Sequence, residues 1–304
     1  MKAFIICAFL ALANGKLADR VSISKSHIEQ LKKIADFEVY NYEEHPFKDL
    51  SPYDLQMKLG LRGMNFHLMK TLPNGDVSAL PDAFDARESW PSCVHPIRDQ
   101  QSCGSCWAFA ASEVLSDRFC IASNGDIDVV MSPQDMVSCD KNDLGCNGGY
   151  LDRSWSYLVN NGIVSDECYP YTSGSGSTGS CAVTSGKCVK GTAQYKKYKA
   201  SAFKTYASVE EIKTDLMTNG PVETGFLVYQ DFMSYKGGVY KKSSNTLMGG
   251  HAVKVVGWGN ENGTDYWIVA NSWGPNWGEK GHFRIAIGNC CNFEAQMISG
   301  TPQL

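Results

Sequence analysis

The first half of the 304-residue chain reads as helical in its apolar and polar positions, and the last third reads as strands. Ser26-x-x-Glu29 makes a capping box ahead of Ile28, Leu31 and Ile34. Ser51-Pro52 supplies an N-cap and a first-turn proline ahead of Leu55 and Leu59. Two short helices are predicted there. A longer amphipathic helix is predicted from Cys106 onward, where Trp107, Ala110, Ala111, Val114 and Leu115 form an apolar stripe. Ser132-Pro133-Gln134-Asp135 opens another helix in the same capped way, and Ser208-x-x-Glu211 caps one that stops at Asn219-Gly220-Pro221. Beyond it, Val222 to Tyr229, His251 to Trp258 and Tyr266 to Ala270 are rich in β-branched and aromatic residues and bounded by Gly, Asn and Asp, so strands are predicted. Helices first and strands later predict an α+β chain of two subdomains. Ser173 to Ser180, a Gly/Ser/Thr tract, is expected to be a flexible surface loop.

Composition narrows the function classes. The chain is 43% hydrophobic and 20% charged, which is enough apolar material for one or two cores. A net charge of −4 without a long basic run removes the electrostatic basis for nucleic-acid binding. Met1 to Ala13 joins one lysine, a short apolar run and an Ala11-Leu12-Ala13 cleavage pattern, so residues 1–15 are expected to be a secretory signal. No other stretch is long and apolar enough to span a membrane. Twelve cysteines in a secreted chain predict disulfides, and losing Cys7 with the signal leaves an odd number. At least one thiol is therefore free or intermolecular. Residues 16–79 hold no cysteine, which marks a boundary near Leu80.

Cys106 is the candidate free thiol. A cysteine opening a helix meets unpaired N–H groups and the positive end of the macrodipole, both of which favour the nucleophilic thiolate. Three histidines follow residue 80: His95, His251 and His282. His251 is favoured as a base, because Gly249-Gly250 allows close backbone approach and an apolar strand follows to hold the ring. Asn262-Gly263-Thr264 is a glycosylation sequon.

The run Arg98-Asp99-Gln100-x-Ser102-Cys103-Gly104-Ser105-Cys106-Trp107-Ala108-Phe109 resembles the active-site segment of cathepsin B-like proteases of the papain family. Gly249 to Val253 resembles the family's histidine segment, and Asn271-Ser272-Trp273-Gly274 its asparagine segment. The resemblance is strongest over Leu80 to Thr301. It implies a papain-like fold, with a helical left subdomain and a β-barrel-like right subdomain flanking a cleft. Residues 16–79 would be a pro-segment running through that cleft, and 80–304 the mature peptidase.

By the same resemblance, Cys106 is the nucleophile and His251 the general base, a thiolate–imidazolium pair with the thiol pKa depressed to ~3–4. Asn271 orients the ring, Trp273 shields that bond, and Gln100 joins the Cys106 N–H in stabilising the oxyanion. Gly148 and Gly149 would let a substrate strand lie against the backbone. Gln296 stands where cathepsin B has a glutamate at the base of its S2 pocket, so apolar P2 residues are expected over arginine. Gln101 replaces a family glycine, and its side chain either crowds the cleft floor or forces different backbone torsions. The implied bridges are Cys93 with Cys120, Cys103 with Cys146, Cys139 with Cys181, and Cys168 with Cys188. Cys290 and Cys291 have no assigned partner, and a bond between neighbours would be strained. No histidine lies between Cys106 and His251, so the family's histidine-bearing occluding loop, and the dipeptide trimming that depends on it, are not expected.

The expected function is a cysteine endopeptidase made as a secreted zymogen, monomeric, without metal or cofactor. It would act on protein or peptide substrates, and its own pro-segment and cystatin-type inhibitors would block it. An acidic lysosome-like or endosomal vesicle, or secretion, is the expected destination. A catalytically silent binding relative would need a broken triad, yet every member is present. A thiol-disulfide oxidoreductase using Cys103-x-x-Cys106 would need a strand just before Arg98, and none is predicted. A zinc site lacks a second C-x-x-C or H-x-x-x-H.

Overall fold

A computed structural model of the chain describes residues 22–64, 72–183, 186–189, 193–288 and 290–304. The expected signal segment, 1–15, lies outside the described residues. The helices are α1 (Lys25–Leu31), α2 (Pro52–Gln56), α3 (Ala86–Ser89), α4 (Cys106–Ala122), α5 (Pro133–Cys139), α6 (Leu151–Asn160) and α7 (Val209–Asn219). The strands are β1 (Glu38–Val39), β2 (Phe84–Asp85), β3 (Ala200–Thr205), β4 (Val222–Tyr229), β5 (Tyr235–Gly237), β6 (Val239–Tyr240), β7 (Leu247–Glu261), β8 (Thr264–Ala270), β9 (His282–Ala286) and β10 (Ile298–Pro302).

Local chemistry starts most of the helices. Ser51, Ser132 and Ser208 each accept a hydrogen bond from the N–H three residues on, and proline fills the next position after the first two. Helix α7 stops where Gly220 takes φ 101, a backbone that L side chains resist. The first helix differs from expectation. Its cap is Ser24, which accepts from the His27 N–H, while Ser26 lies inside the helix. That phase buries Ile28 and Leu31 and leaves Ile34 62% exposed.

The large sheet runs β3-β10-β4-β7-β8-β9-β6, with β2 on β7, and every pair is antiparallel except β6 with β9. It stays open rather than closing into the expected barrel, because no described pairing joins β3 to β6. Helix α4 crosses this sheet against β7. It is buried on all sides rather than amphipathic: every residue from Cys106 to Cys120 is buried. Its polar residues survive there because partners come from the sheet side. The Lys254 Nζ lies 2.7 Å from Asp117, and Arg118 pairs with Asp215.

Residues 173–180 are pinned rather than flexible. Ser138 Oγ donates to the Thr178 carbonyl at 2.7 Å, the Cys146 N–H donates to Thr178 Oγ1 at 3.0 Å, and the Ser102 N–H donates to the Gly174 carbonyl at 2.9 Å. The sequon at Asn262 sits in the exposed β7–β8 turn. No helix among the described residues is long and apolar enough to cross a membrane.

Candidate active site

Cys106 is the first residue of α4, and Ser105 before it makes no side-chain cap, so the first N–H groups of the helix keep their field for the sulfur. The structure bridges Cys103 to Cys146, not to Cys106, and leaves Cys106 free. The other three disulfides join Cys93 to Cys120, Cys139 to Cys181 and Cys168 to Cys188, the same pairs the resemblance implied. The bridge at Cys103 anchors the turn into α4 to the loop before Gly148. The Gly104 N–H donates to the Cys146 carbonyl at 2.9 Å, which closes that corner.

The opposite wall is β7 and the turn after β8. His251 lies on β7 opposite Phe226 of β4, fully buried. Its Nε2 bonds to Asn271 Oδ1 at 2.7 Å, and Asn271 Oδ1 also accepts from the Ser272 N–H at 2.8 Å. The Trp273 ring lies over His251 with centroids 4.7 Å apart. Trp273, His251 and Asn271 are all buried. The remaining imidazole nitrogen, Nδ1, is buried without a hydrogen-bond partner.

Gln100 is wholly buried and held from two sides. Its Oε1 accepts from Ser272 Oγ at 2.7 Å, and its Nε2 donates to the carbonyls of Cys103 at 2.8 Å and Lys58 at 3.3 Å. Gln101 takes φ 55, a left-handed torsion that glycine adopts more readily than a residue with a Cβ. That side chain turns out to Gly174, where a Cβ would meet Gln101 Oε1.

Residues 57–62 run between the walls. The Gly149 N–H donates to the Gly60 carbonyl at 2.8 Å, the Arg62 N–H to the Gly149 carbonyl at 2.8 Å, and the Leu61 N–H to the Gly250 carbonyl at 3.0 Å. Lys58 O accepts from Trp273 Nε1 at 3.1 Å. The path leaves no room for side chains at the crossing. A Cβ on Gly60 would overlap the Gly104 carbonyl, one on Gly148 (φ 111) would overlap Gly60 O, and one on Gly149 would strike the Trp107 ring. Leu61 points at Gly225, whose missing Cβ would also meet Gln296 Oε1 at 3.1 Å and Leu151. Leu61 is thus packed in the pocket that holds Gln296.

This covered arrangement changes the electrostatics expected from sequence. Burial pushes the Cys106 thiol up to about 12, against the backbone N–H groups of Ala252, Gly60 and Trp107. Burial holds His251 down at about 4, although Asn271 opposes it. Both shifts favour the neutral thiol and the neutral imidazole while the two side chains are buried.

A profile described as "Papain family cysteine protease" matches residues 80–301. The chain belongs to the papain family of cysteine proteases. It is 42% identical over 265 residues to "Cathepsin B-like cysteine proteinase 5" of Caenorhabditis elegans, covering 74% of this chain and 76% of that one. It is 37% identical to "Cathepsin B-like cysteine proteinase 4" of the same organism, over 100% of both chains. Among solved structures, "proCathepsin B S9 from Trypanosoma congolense" superposes with a TM-score of 0.80 at 31% identity, over 93% of this chain and 99% of that one. The α+β architecture described above is therefore papain-like, and this protease is a hydrolase of the cathepsin B-like kind.

Three features of the papain-family site were not read from the sequence. Ser272 Oγ donates to Gln100, the Gly60 backbone N–H is directed at the Cys106 sulfur, and Glu223 is a buried carboxyl with Oε2 accepting from Trp155 Nε1 at 2.6 Å. Burial holds Glu223 well above the usual carboxylate range. A glycine between two leucines, Leu59-Gly60-Leu61, is the one local signal that bears on the second. His95 and His282 take no part: His95 is bonded to Asp117 and Asp128, and His282 Nδ1 lies 3.3 Å from the Lys280 carbonyl.

Proposed function

We propose that this protein is an endopeptidase made as a self-blocked precursor, in which residues 16–79 are a pro-segment, 80–304 the mature enzyme, and Cys106, His251, Asn271 and Gln100 the catalytic residues. The observation that carries the reading is the backbone of Gly60 at the sulfur. It directs an N–H at Cys106, as one of the groups opposing the thiol's upward shift, and so offers the nucleophile a donor in place of an electrophilic carbon.

With the segment gone, water reaches His251 and Cys106, the burial that holds both neutral is relieved, and the proton passes from sulfur to imidazole. The thiolate attacks the scissile carbonyl carbon, and the oxyanion is met by the Cys106 N–H and Gln100 Nε2. Imidazolium then gives its proton to the departing amine, and water, deprotonated by His251, hydrolyses the thioester. Asn271 keeps the ring in register through the 2.7 Å bond. Gly148 and Gly149 take the substrate strand as Gly149 takes the segment. Leu61 in the Gln296 pocket supports apolar P2 side chains over arginine, since an amide lacks the charge that would draw a guanidinium. An N-terminal signal, residues 1–15, would send the precursor into the secretory pathway, toward an acidic vesicle or the exterior.

The test is labelling with an epoxide or vinyl-sulfone probe before and after removal of residues 16–79. Labelling of the trimmed enzyme alone, lost in Cys106→Ala, is the expected result. Equal labelling of that variant would remove Cys106 as nucleophile, and equal labelling of the untrimmed chain would remove the blocking role.

A further inference from the structure

The four disulfides and Cys106 leave two thiols beyond residue 80 without a role, Cys290 and Cys291. Cys291 is buried and Cys290 is half-buried, and their Sγ atoms stand 2.9 Å apart. The backbone holds them this way. Cys291 (φ 63) and Asn292 (φ 58) both take left-handed torsions, which are uncommon for residues with a Cβ. The Cys291 carbonyl accepts from the Leu227 N–H of β4 at 2.8 Å, and the Cys290 carbonyl accepts from the Phe293 N–H at 3.0 Å. Both cysteines line a pocket of about 550 Å³ together with Lys241, Lys242, Thr264 and Asp265. None of the lining residues belongs to the cleft.

We propose that Cys290 and Cys291 are a redox-active dithiol, a modification site separate from Cys106, whose reaction partner is a small anionic disulfide of the glutathione type. The two lysines draw the carboxylates of such a molecule into the pocket, and the open mouth admits it. Cys290, the more accessible, attacks first as its thiolate. One sulfur–sulfur bond forms to Cys290, the bond within the small disulfide breaks, and the released thiolate takes up a proton. Cys291 then gives up its proton and attacks the Cys290 sulfur, closing a bond between the neighbours and expelling the second small thiol. Two protein thiols are oxidised and one disulfide is reduced to two thiols, so the step balances. The hydrogen bond with Cys290 and burial hold the Cys291 thiol up, with Asp231 adding to the rise and Lys242 opposing it, which suits Cys291 to the second, resolving step. The product is strained, and thiols reopen it readily.

The test uses the intact chain, fully reduced at these two positions, incubated with oxidised glutathione, alkylated with iodoacetamide, digested with trypsin and read by mass spectrometry. The peptide after Arg284 carries both cysteines, and Cys106 lies on another, so each site is read by itself. The expected result is that this peptide loses both alkylation sites, is lighter by a pair of hydrogen atoms, and regains both sites after dithiothreitol. Cys290→Ala and Cys291→Ala should each abolish the closed form. A persistent glutathione adduct on Cys290 with Cys291 still alkylated, or two alkylated thiols after oxidation, would overturn the proposal.

Discussion

Residues 22–64 lie against the matched domain 80–301, but the two regions are fastened by opposite means. The domain carries four disulfides and buried ion pairs at Arg118–Asp215 and Lys254–Asp117. The described part of the earlier segment has no cysteine, and its ion pairs to the domain, Lys58–Asp99 at 3.5 Å and Glu44–Lys236 at 3.4 Å, have at least one exposed partner. Its grip comes from rings and backbone: Phe37 against Tyr235 and Tyr240, Phe47 against Trp273, β1 on β5, and the cleft contacts of Gly60 and Leu61. Covalent ties make one region permanent. Burial without them would let the other come away, as the proposed blocking role requires.

Gly60→Ala is the sharpest way to break that contrast. Its Cβ would collide with the backbone of Gly104, which cannot turn aside, so the strand must lift from the sulfur. Probe labelling of Cys106 in the untrimmed chain should rise about a hundredfold, equivalent to about 3 kcal/mol of lost docking. Unchanged labelling would show that this crossing does not hide the thiol. Gln100→Ala strikes both regions, since Nε2 faces Lys58 O in the covered state and the oxyanion in the proposed reaction. The trimmed enzyme should lose ~10²–10³ in kcat with little change in KM, and the untrimmed chain should label faster. A loss confined to KM would count against the oxyanion role.

Gln296→Glu tests the pocket shared by Leu61 and substrate. A carboxylate there should raise kcat/KM for an Arg-Arg peptide relative to Phe-Arg by about tenfold. The smallest effect is in pH. Burial holds His45 down at about 4 from 6.5, so it is neutral while docked against Ser234 and takes a proton when released. Docking is undiminished above pH 6.5 and weakens as pH falls through the window to about 4, by up to about tenfold per pH unit. Labelling of the untrimmed chain, corrected by the trimmed enzyme, should accelerate over that window. His45→Phe should make the rise severalfold shallower, and an unaltered profile would exclude His45.

Much of this was legible because it is local. The caps at Ser51, Ser132 and Ser208 rest on side chains reaching three residues ahead, and the strands on their own β-branched and aromatic content. Ser24 and Ser26 satisfy the same local rule, and only the packing of Ile28 and Leu31 decides between them. Helix α4 looked amphipathic from its apolar stripe at Trp107, Ala110, Ala111, Val114 and Leu115, yet its Asp117 and Arg118 are buried as well. Their partners, Lys254 and Asp215, arrive from far along the chain. The tract at 173–180 read as loose because Ser, Thr and Gly lack apolar weight, yet its polar groups bond to Ser138, Cys146 and Ser102. The candidate triad was visible through resemblance, whereas the burial that pushes the Cys106 thiol up and holds His251 down depends on contacts from far along the chain.

Gly60 meets its surroundings through main chain alone, so the blocking proposed at the sulfur depends, at this crossing, on the route of the backbone and not on a side chain. Side chains elsewhere in residues 22–64, such as Phe37 and Phe47, hold the segment against the domain, but at that crossing only a residue bare of any side chain fits. On the proposed reading, one added methyl group at this place would turn a stored precursor into a leaky one without touching any group that performs the hydrolysis.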